Sequence, residues 1–347
     1  MMIESLLLMR PSDILLEATR GTLTTIFHSA LETAFIIFVK VIGTASIARR
    51  SSVAVERASY TVERPFIQKR CQHIPKESGF KTLRRTDWLS FEHSSLALEN
   101  LARFHAMSKI LIDRGLIKKT DFTHNSMCTD IEFGHKLYAG PLEVLAEAMV
   151  ESWGHEWKEV SDRIKLQVPL VSHKINELAV VQDDRYLVFN HGDLWTCNIM
   201  MKPEKSTTAE SLRFLDFQVP CINTFIWDVI IFMFTSTHPQ VRRRKQDDLL
   251  SVYQKSLEEN LRSFNCQSYV PNLNDVISEF ERVWYLSFVF NMTFFPLSSS
   301  SKCKPFEISK VLDYTPQEVF DKSAFTDERL VPELQEDLKI YIEKGVI

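Results

Sequence analysis

Glycine is scarce in this sequence. The chain has 347 residues and only 9 glycines. No two of them fall in a G-x-G-x-x-G or a G-x-x-x-x-G-K arrangement, the glycine-rich loops that wrap backbone amides around nucleotide phosphates. A Rossmann dinucleotide site and a P-loop are therefore excluded, and any handling of phosphate groups must use other residues.

Paired cysteines and long apolar runs are also missing. The 6 cysteines contain no C-x-x-C pair, so free thiols in a reducing compartment are favoured over a disulfide framework or a zinc site. The longest apolar stretches, Ala34–Val39 and Val229–Phe234, fall far short of the ~18 residues that span a bilayer. The run Leu6–Met9 is too short for a signal-peptide core. We expect a cytoplasmic protein with no membrane partner.

Charge of one sign is not in excess. Lys+Arg 41 against Asp+Glu 45 gives a net charge of −4, so the chain lacks the basic excess that is typical of nucleic-acid-binding proteins. The basic run Arg242–Lys245 is followed by Asp247 and Asp248 on a predicted helix, so a solvated face is expected there. Hydrophobic residues make up 45% of the chain, enough for a sizeable core.

Two regions of unequal size are predicted, with boundaries at residues 1–77 and 78–347. The first contains an apolar run, Phe35–Ile42, that is typical of a strand. The second is dominated by helical periodicity. Its predicted helices are Phe91–Arg114 with Gly115 as the stop, Pro141–Glu151 with Pro141 in the first helical position, Trp157–Gln167, Val168–Val181, Phe225–Phe234, Gln240–Phe264, Asn274–Phe290 and Pro332–Lys344.

A small β structure is predicted inside this helical region. Arg185–Asn190 has the composition of a strand, and Ile199–Lys202 and Leu212–Gln218 are predicted to form a hairpin across the polar turn Pro203–Glu210. The fold class is therefore α+β, with a mostly helical body into which a β-hairpin is set.

The hairpin region carries the most informative residues. His191, Asp193 and Asn198 follow the first strand, and Asp216 ends the last one. Phosphoryl transfer needs a carboxylate that orients the attacking hydroxyl and hard oxygen ligands that hold Mg²⁺ on the phosphates. The H-x-D-x-x-x-x-N spacing with a later Asp matches the catalytic loop and metal-binding Asp of kinases.

Each of these residues also has a structural interpretation. Singly, His191 is typical of a hydrogen-bonded core histidine, and Asp193, Asn198 and Asp216 are typical of turns and caps. Their joint occurrence in order favours the kinase-like site. Asp228 is equally compatible with helix capping and with support of that site. His105, in the first predicted helix, is expected to pack rather than to bind a metal.

The sequence resembles a known family. The segments "HGDLWTCNIMM", "FLDFQ" and "WDVIIFMFTSTHPQVRRR" are similar to the ecdysteroid-kinase-like group of the choline/aminoglycoside kinase superfamily, over roughly residues 78–297. The resemblance implies a protein-kinase-like two-lobed fold with a large helical C-lobe. It also implies Asp193 as the catalytic base, His191 as a brace of the catalytic loop, and Asn198 and Asp216 as Mg²⁺ ligands.

The resemblance weakens in the N-terminal lobe. The run "IIFVKVI" resembles the family's lysine strand, which makes Lys40 the candidate ligand of the α/β-phosphates, with Glu63 as its partner. A strand-end lysine that reaches solvent is an equal alternative. Almost nothing stands where the last strands and the adenine-binding hinge are expected, so the N-lobe is predicted to be shortened.

Two functions follow as hypotheses. The leading one is an ATP- and Mg²⁺-dependent kinase that phosphorylates a hydroxyl on a small apolar molecule, such as an ecdysteroid or a xenobiotic alcohol. The alternative is an inactive pseudokinase that binds a small molecule or a protein partner through its helical lobe. A protein kinase is disfavoured because "HGD" replaces H-R-D and no D-F-G or A-P-E segment is present. The oligomeric state is left open.

Overall fold

The computed structural model describes residues 79–118, 131–202, 212–217, 219–304 and 306–347. The predicted strand Phe35–Ile42, the candidate residues Lys40 and Glu63, and the boundary between residues 77 and 78 lie outside the described residues. They stay predictions.

The described chain is mixed helix and strand. Its strands are β1 (Lys81–Thr82), β2 (Leu187–Asn190), β3 (Ile199–Met201), β4 (Leu212–Phe214) and β5 (Cys221–Thr224). Its α-helices are α1 (Phe91–Asp113), α2 (Ile131–Ala148), α3 (Lys158–Gln167), α4 (Val171–Ala179), α5 (Ile226–Ser236), α6 (Pro239–Ser263), α7 (Leu273–Arg282), α8 (Trp284–Met292), α9 (Phe294–Ser299), α10 (Pro316–Val319) and α11 (Val331–Glu343).

Helix α1 confirms the prediction closely. The Ser90 hydroxyl caps it by accepting from the backbone N–H of His93 at 3.4 Å. Gly115, just beyond its end, has a φ of 66°, the left-handed conformation that glycine adopts without cost at helix ends. Ala97, Leu101 and Leu111 of the predicted stripe are almost fully buried.

The strands of the described residues lie in two small antiparallel sheets. The predicted hairpin is confirmed, with Ile199 opposite Phe214 and Met201 opposite Leu212, and β1 adds a third strand beside β3. Strand β2 pairs with β5, which the sequence did not predict. In the register of this pair, Asn190 lies opposite Cys221, so the chain leaves β2 for the loop at one defined end of the sheet.

Two helix predictions are wrong. Pro141 does not open a helix, because α2 begins ten residues earlier at Ile131 and continues through the proline. Phe133, Leu137 and Tyr138 in that earlier part are buried in the core, and their burial outweighs the local preference of Pro141 for a helix start. The predicted helix Asn274–Phe290 is instead two helices, which meet at Val283 with φ −101° and ψ 18°.

Helix α5 lies at the centre of the core. Every residue of α5 is buried, and α1 packs along α6 and against β2 and α5. The end of β2 therefore packs against the buried first turn of α5 and against α1. No helix among the described residues combines the length and the apolar character needed to cross a membrane.

Candidate active site

His191 is the first residue of the loop that follows β2. Its ring is buried and packs at a tilt against the ring of Phe217, with the ring centroids 4.3 Å apart. The backbone N–H of Asp193 donates to Nδ1 of His191 at 3.3 Å, so Nε2 carries the proton and donates to the backbone carbonyl of Leu215 at 2.7 Å. Burial lowers the pKa of His191, against the opposing charges of Asp228 and Asp216. A neutral histidine therefore links the loop to the segment after β4.

Gly192 makes a turn that other residues cannot make without strain. Its φ is 82°, and a Cβ built on it would lie 2.1 Å from the backbone carbonyl oxygen of Val219. The loop after β2 therefore passes close to the segment that precedes β5.

Asp193 and Asn198 are joined directly. The Asn198 side-chain amide donates from Nδ2 to the backbone carbonyl of Asp193 at 2.7 Å and to its Oδ2 at 3.1 Å. A short helical turn, Thr196–Asn198, brings the two residues within reach of each other. Because Nδ2 faces Asp193, Oδ1 is the atom of Asn198 that is turned to other ligands.

Asp216 follows the end of β4 in an unusual conformation. Its φ of 62° places it in the left-handed region, which residues with a side chain adopt at a cost. The backbone N–H of Leu215 donates to the carbonyl of Asn198 at 2.8 Å. This bond and the His191–Leu215 bond hold the residue before Asp216 against the loop, so Asp216 and Asn198 lie on neighbouring segments.

Asp228 supports the loop from α5 rather than capping the helix. The carboxylate is fully buried; its Oδ2 accepts from the backbone N–H of His191 at 2.6 Å, and its Oδ1 accepts from that of Gly192 at 2.9 Å. The Asp228 backbone N–H in turn donates to Oδ1 of Asn190 at 3.3 Å. Of the two interpretations left open by the sequence, the structure shows support of the loop.

The structure brings together His191, Asp193 and Asn198 in one hydrogen-bonded loop, with Asp216 on the adjoining segment. Lys40 and Glu63 lie outside the described residues. Sequence reasoning missed the Leu215 carbonyl as the partner of His191. It missed also the hydrogen bond of His105 to Asp228 at 3.2 Å. These contacts join residues far apart in the chain, and no spacing rule signals them.

Cys197 lies on the same loop but is not a reactive thiol. Burial raises the pKa of its thiol to about 11, helped by the charge of Asp193 and opposed by that of Arg85. Since the thiolate is the nucleophilic form, Cys197 stays protonated near neutral pH.

The donor set fits magnesium between nucleotide phosphates. Asn198 Oδ1 and the Asp216 carboxylate are hard oxygen ligands, the type that Mg²⁺ prefers. No group of three or more His, Cys, Asp or Glu side chains converges as a metal site within the part of the chain that the structure describes. A metal shared with phosphates needs only one or two protein ligands, so this donor set is sufficient.

Comparison with known proteins gives this architecture a class and a family. The α+β arrangement, with a loop after β2 that carries His, Asp and Asn and an Asp after the hairpin, defines a kinase-like fold. The chain belongs to the ecdysteroid kinase-like family, whose model matches residues 75–266, more than half of the chain. Membership indicates kinase-like phosphotransferase activity on small molecules. No curated protein and no solved structure shows a significant match.

Proposed function

We propose that the protein transfers the γ-phosphoryl group of ATP, with Mg²⁺, to a hydroxyl of a small apolar molecule such as an ecdysteroid or a xenobiotic alcohol. The observation that carries the proposal is the Asp193–Asn198 pair, bonded at 3.1 Å on a loop that Asp228 anchors through two backbone amides. The family supports the reaction class.

Asp193 is the residue that receives the acceptor. The acceptor hydroxyl donates a hydrogen bond to its carboxylate, and the proton passes to Asp193 as the hydroxyl oxygen bonds to the γ-phosphorus. The bond from the γ-phosphorus to the bridging oxygen breaks, and ADP leaves. Asn198 holds the Asp193 carboxylate in place through a hydrogen bond to Oδ2.

Asn198 and Asp216 are the residues that would hold Mg²⁺. When bound, the metal neutralises charge on the β- and γ-phosphates. The Asn198 amide is fixed by its bonds to Asp193, so its Oδ1 is already oriented without rearrangement. Lys40, with Glu63 as its partner, is proposed to hold the α/β-phosphates.

The small-molecule alcohol acceptor is proposed to be apolar because of the family's ecdysteroid-kinase-like name. The aromatic segment Phe280–Phe295 does not add to this argument. Phe280, Phe288 and Phe295 are buried in the hydrophobic core, so they are not exposed to an acceptor.

The test is ADP formation by the full chain with MgATP and a panel of acceptors. An ecdysteroid, a planar phenol and an aliphatic alcohol represent apolar hydroxyls, while choline and an aminoglycoside represent polar ones. We expect ADP and the phosphorylated product with at least one apolar hydroxyl. Phosphorylation of only the polar acceptors would refute the apolar assignment.

A thermal shift measurement separates the kinase from the pseudokinase. A nucleotide present at 100 times its Kd stabilises the fold by about 2.7 kcal/mol, which gives a clear shift in Tm. We expect this shift with Mg²⁺ and ATP together. The absence of both a shift and any product at millimolar nucleotide would favour the inactive alternative.

A further inference from the structure

His105 of α1 lies between two buried polar groups from two other helices. Its Nδ1 is 2.7 Å from the hydroxyl of Tyr253 on α6, and its Nε2 is 3.2 Å from Oδ2 of Asp228 on α5. His105, Tyr253 and Asp228 are all fully buried. Burying three polar groups costs desolvation free energy that an apolar side chain in this space would avoid. A function of the polar arrangement would explain why it is present.

The proton positions in this chain follow from its chemistry. Burial raises the pKa of Tyr253 well above its ordinary value, so its hydroxyl keeps the proton. Within the described part of the chain, that hydroxyl lies within hydrogen-bond distance of Nδ1 of His105. If Tyr253 donates to Nδ1, the imidazole proton must be on Nε2, where it donates to Asp228.

From the residues that the structure describes, Asp228 consequently receives three donors. Oδ1 accepts from the backbone N–H of Gly192, and Oδ2 accepts from the backbone N–H of His191 and from Nε2 of His105. The two amides belong to the residues directly before Asp193. The third donor reaches the carboxylate from the side of α1, so it resists rotation of the carboxylate away from the two amides.

We propose that Tyr253 and His105 form a relay of positioning residues that fixes the Asp228 carboxylate and, through it, the loop that carries Asp193. The relay acts on the phosphoryl transfer proposed above and rests on that function. Neither residue touches the substrate. The tilted ring contact of Phe104 with Phe217, with centroids 5.5 Å apart, gives α1 a second contact beside Asp216, so this helix supports both segments of the site.

The tautomer of His105 can be measured without any activity. Histidine labelled with ¹⁵N in the ring distinguishes a protonated Nδ1 from a protonated Nε2, and the His105→Leu variant assigns the signal by its loss. In wild type we expect the ring signals of the neutral tautomer with the proton on Nε2. In Tyr253→Phe we expect these signals to change, because Nδ1 has lost its donor. A proton on Nδ1, or an unchanged spectrum in Tyr253→Phe, would overturn the relay.

The backbone amides give a second readout of the same chain. Selective ¹⁵N labelling of glycine and histidine reports Gly192 and His191. We expect both amide signals to shift in Tyr253→Phe and His105→Leu, while the signal of Gly115, at the far end of α1, stays in place. Unmoved signals of both Gly192 and His191 in folded variants would contradict the proposal.

Kinetics then test whether the relay matters for turnover. Removal of a donor that orients a buried carboxylate is expected to lower kcat about 10- to 100-fold in Tyr253→Phe and His105→Leu, with little change in KM for ATP. His105→Gln, which can still donate to Asp228, should recover most of the lost kcat. A larger effect on KM than on kcat would contradict a positioning role.

Tyr341→Phe is the matched control. Tyr341 is also a buried tyrosine, but its hydroxyl contacts Asn291 on α8, away from the loop. A merely structural role of Tyr253 predicts equal losses of Tm and of kcat in the two variants, whereas the relay predicts a loss of kcat in Tyr253→Phe alone. In an Asp228→Asn background the Tyr253→Phe effect should vanish, and full additivity would refute the coupling.

The two proposals fail in different ways. If the wild-type chain transfers no phosphate, the proposed function fails while the tautomer and amide shifts still decide the relay. If transfer occurs but the spectra and kcat of Tyr253→Phe match those of wild type, only the relay fails.

Discussion

Asn198 donates its side-chain amide to both the backbone carbonyl and the carboxylate Oδ2 of Asp193, at 2.7 and 3.1 Å. One residue therefore fixes the proposed base and, in the same arrangement, orients its own side-chain oxygen for the proposed Mg²⁺. The two tasks can be separated because they use different atoms of the amide.

Asn198→Asp separates these two tasks. The variant keeps an oxygen for Mg²⁺ but removes both hydrogen bonds to Asp193 and places a second negative charge beside it. We expect kcat to fall about 10- to 100-fold, with no recovery when Mg²⁺ is raised. Asn274→Asp, the same change at an exposed position, is the control. Full recovery by Mg²⁺ would show that Asn198 acts only as a metal ligand.

Asp216→Asn should change the metal requirement. Replacing a carboxylate ligand by an amide weakens Mg²⁺ binding, so the Mg²⁺ concentration for half-maximal activity should rise about 10- to 100-fold or more. Saturating Mg²⁺ should restore part of the rate. Asp247→Asn, at an exposed position on α6, should leave the Mg²⁺ dependence unchanged. An unchanged requirement in Asp216→Asn would remove Asp216 from the metal site.

Gly192→Ala should destabilise the fold. The new Cβ meets the Val219 carbonyl oxygen at 2.1 Å, and the φ of 82° is strained for alanine. We expect the free energy of unfolding to fall by about 2–4 kcal/mol in denaturant titrations. Gly115→Ala shares a positive φ but meets no atom within 4 Å, so it should cost only about 1 kcal/mol. Equal losses in the two variants would contradict the close approach.

His191 predicts a pH dependence of stability. Burial lowers its folded pKa below the ordinary 6.5, so just below pH 6.5 the unfolded chain binds more protons than the folded chain. The free energy of unfolding should therefore decrease as pH falls from 6.5 towards the folded pKa.

His191→Asn checks this dependence because asparagine accepts from the Asp193 amide but does not titrate. The change of Tm between about pH 7.5 and 5.5 should be smaller in the variant than in wild type. Burial also lowers the pKa of His238, which is present in both proteins. Part of the change of Tm with pH should therefore remain in the variant. An identical pH dependence in the two proteins would exclude His191 as its source.

The elements with strong local signals were predictable. The span and the stop of α1 and the β3–β4 hairpin follow from local rules. The start of α2 was not predictable from local signals, because the burial of Phe133 and Leu137 outweighed the local signal of Pro141. Strand β5 is only four residues long and forms because β2 is beside it.

The candidate site was predictable only as residues in order along the chain. The spacing of His191, Asp193 and Asn198 is typical of a kinase catalytic loop. The support beneath it depends on contacts such as that of Asp228 with His191, which are 37 residues apart. Such contacts depend on how α5 and α1 pack, and no local pattern encodes that packing.

The most direct test compares phosphoryl transfer by wild type and by Asp193→Asn, with MgATP and the apolar acceptor identified in the panel. The account predicts a fall in kcat of about 10²- to 10⁴-fold, with the MgATP-induced thermal shift retained and with Asp247→Asn as active as wild type. Wild-type turnover by a folded Asp193→Asn variant would contradict the assignment of Asp193 as the base.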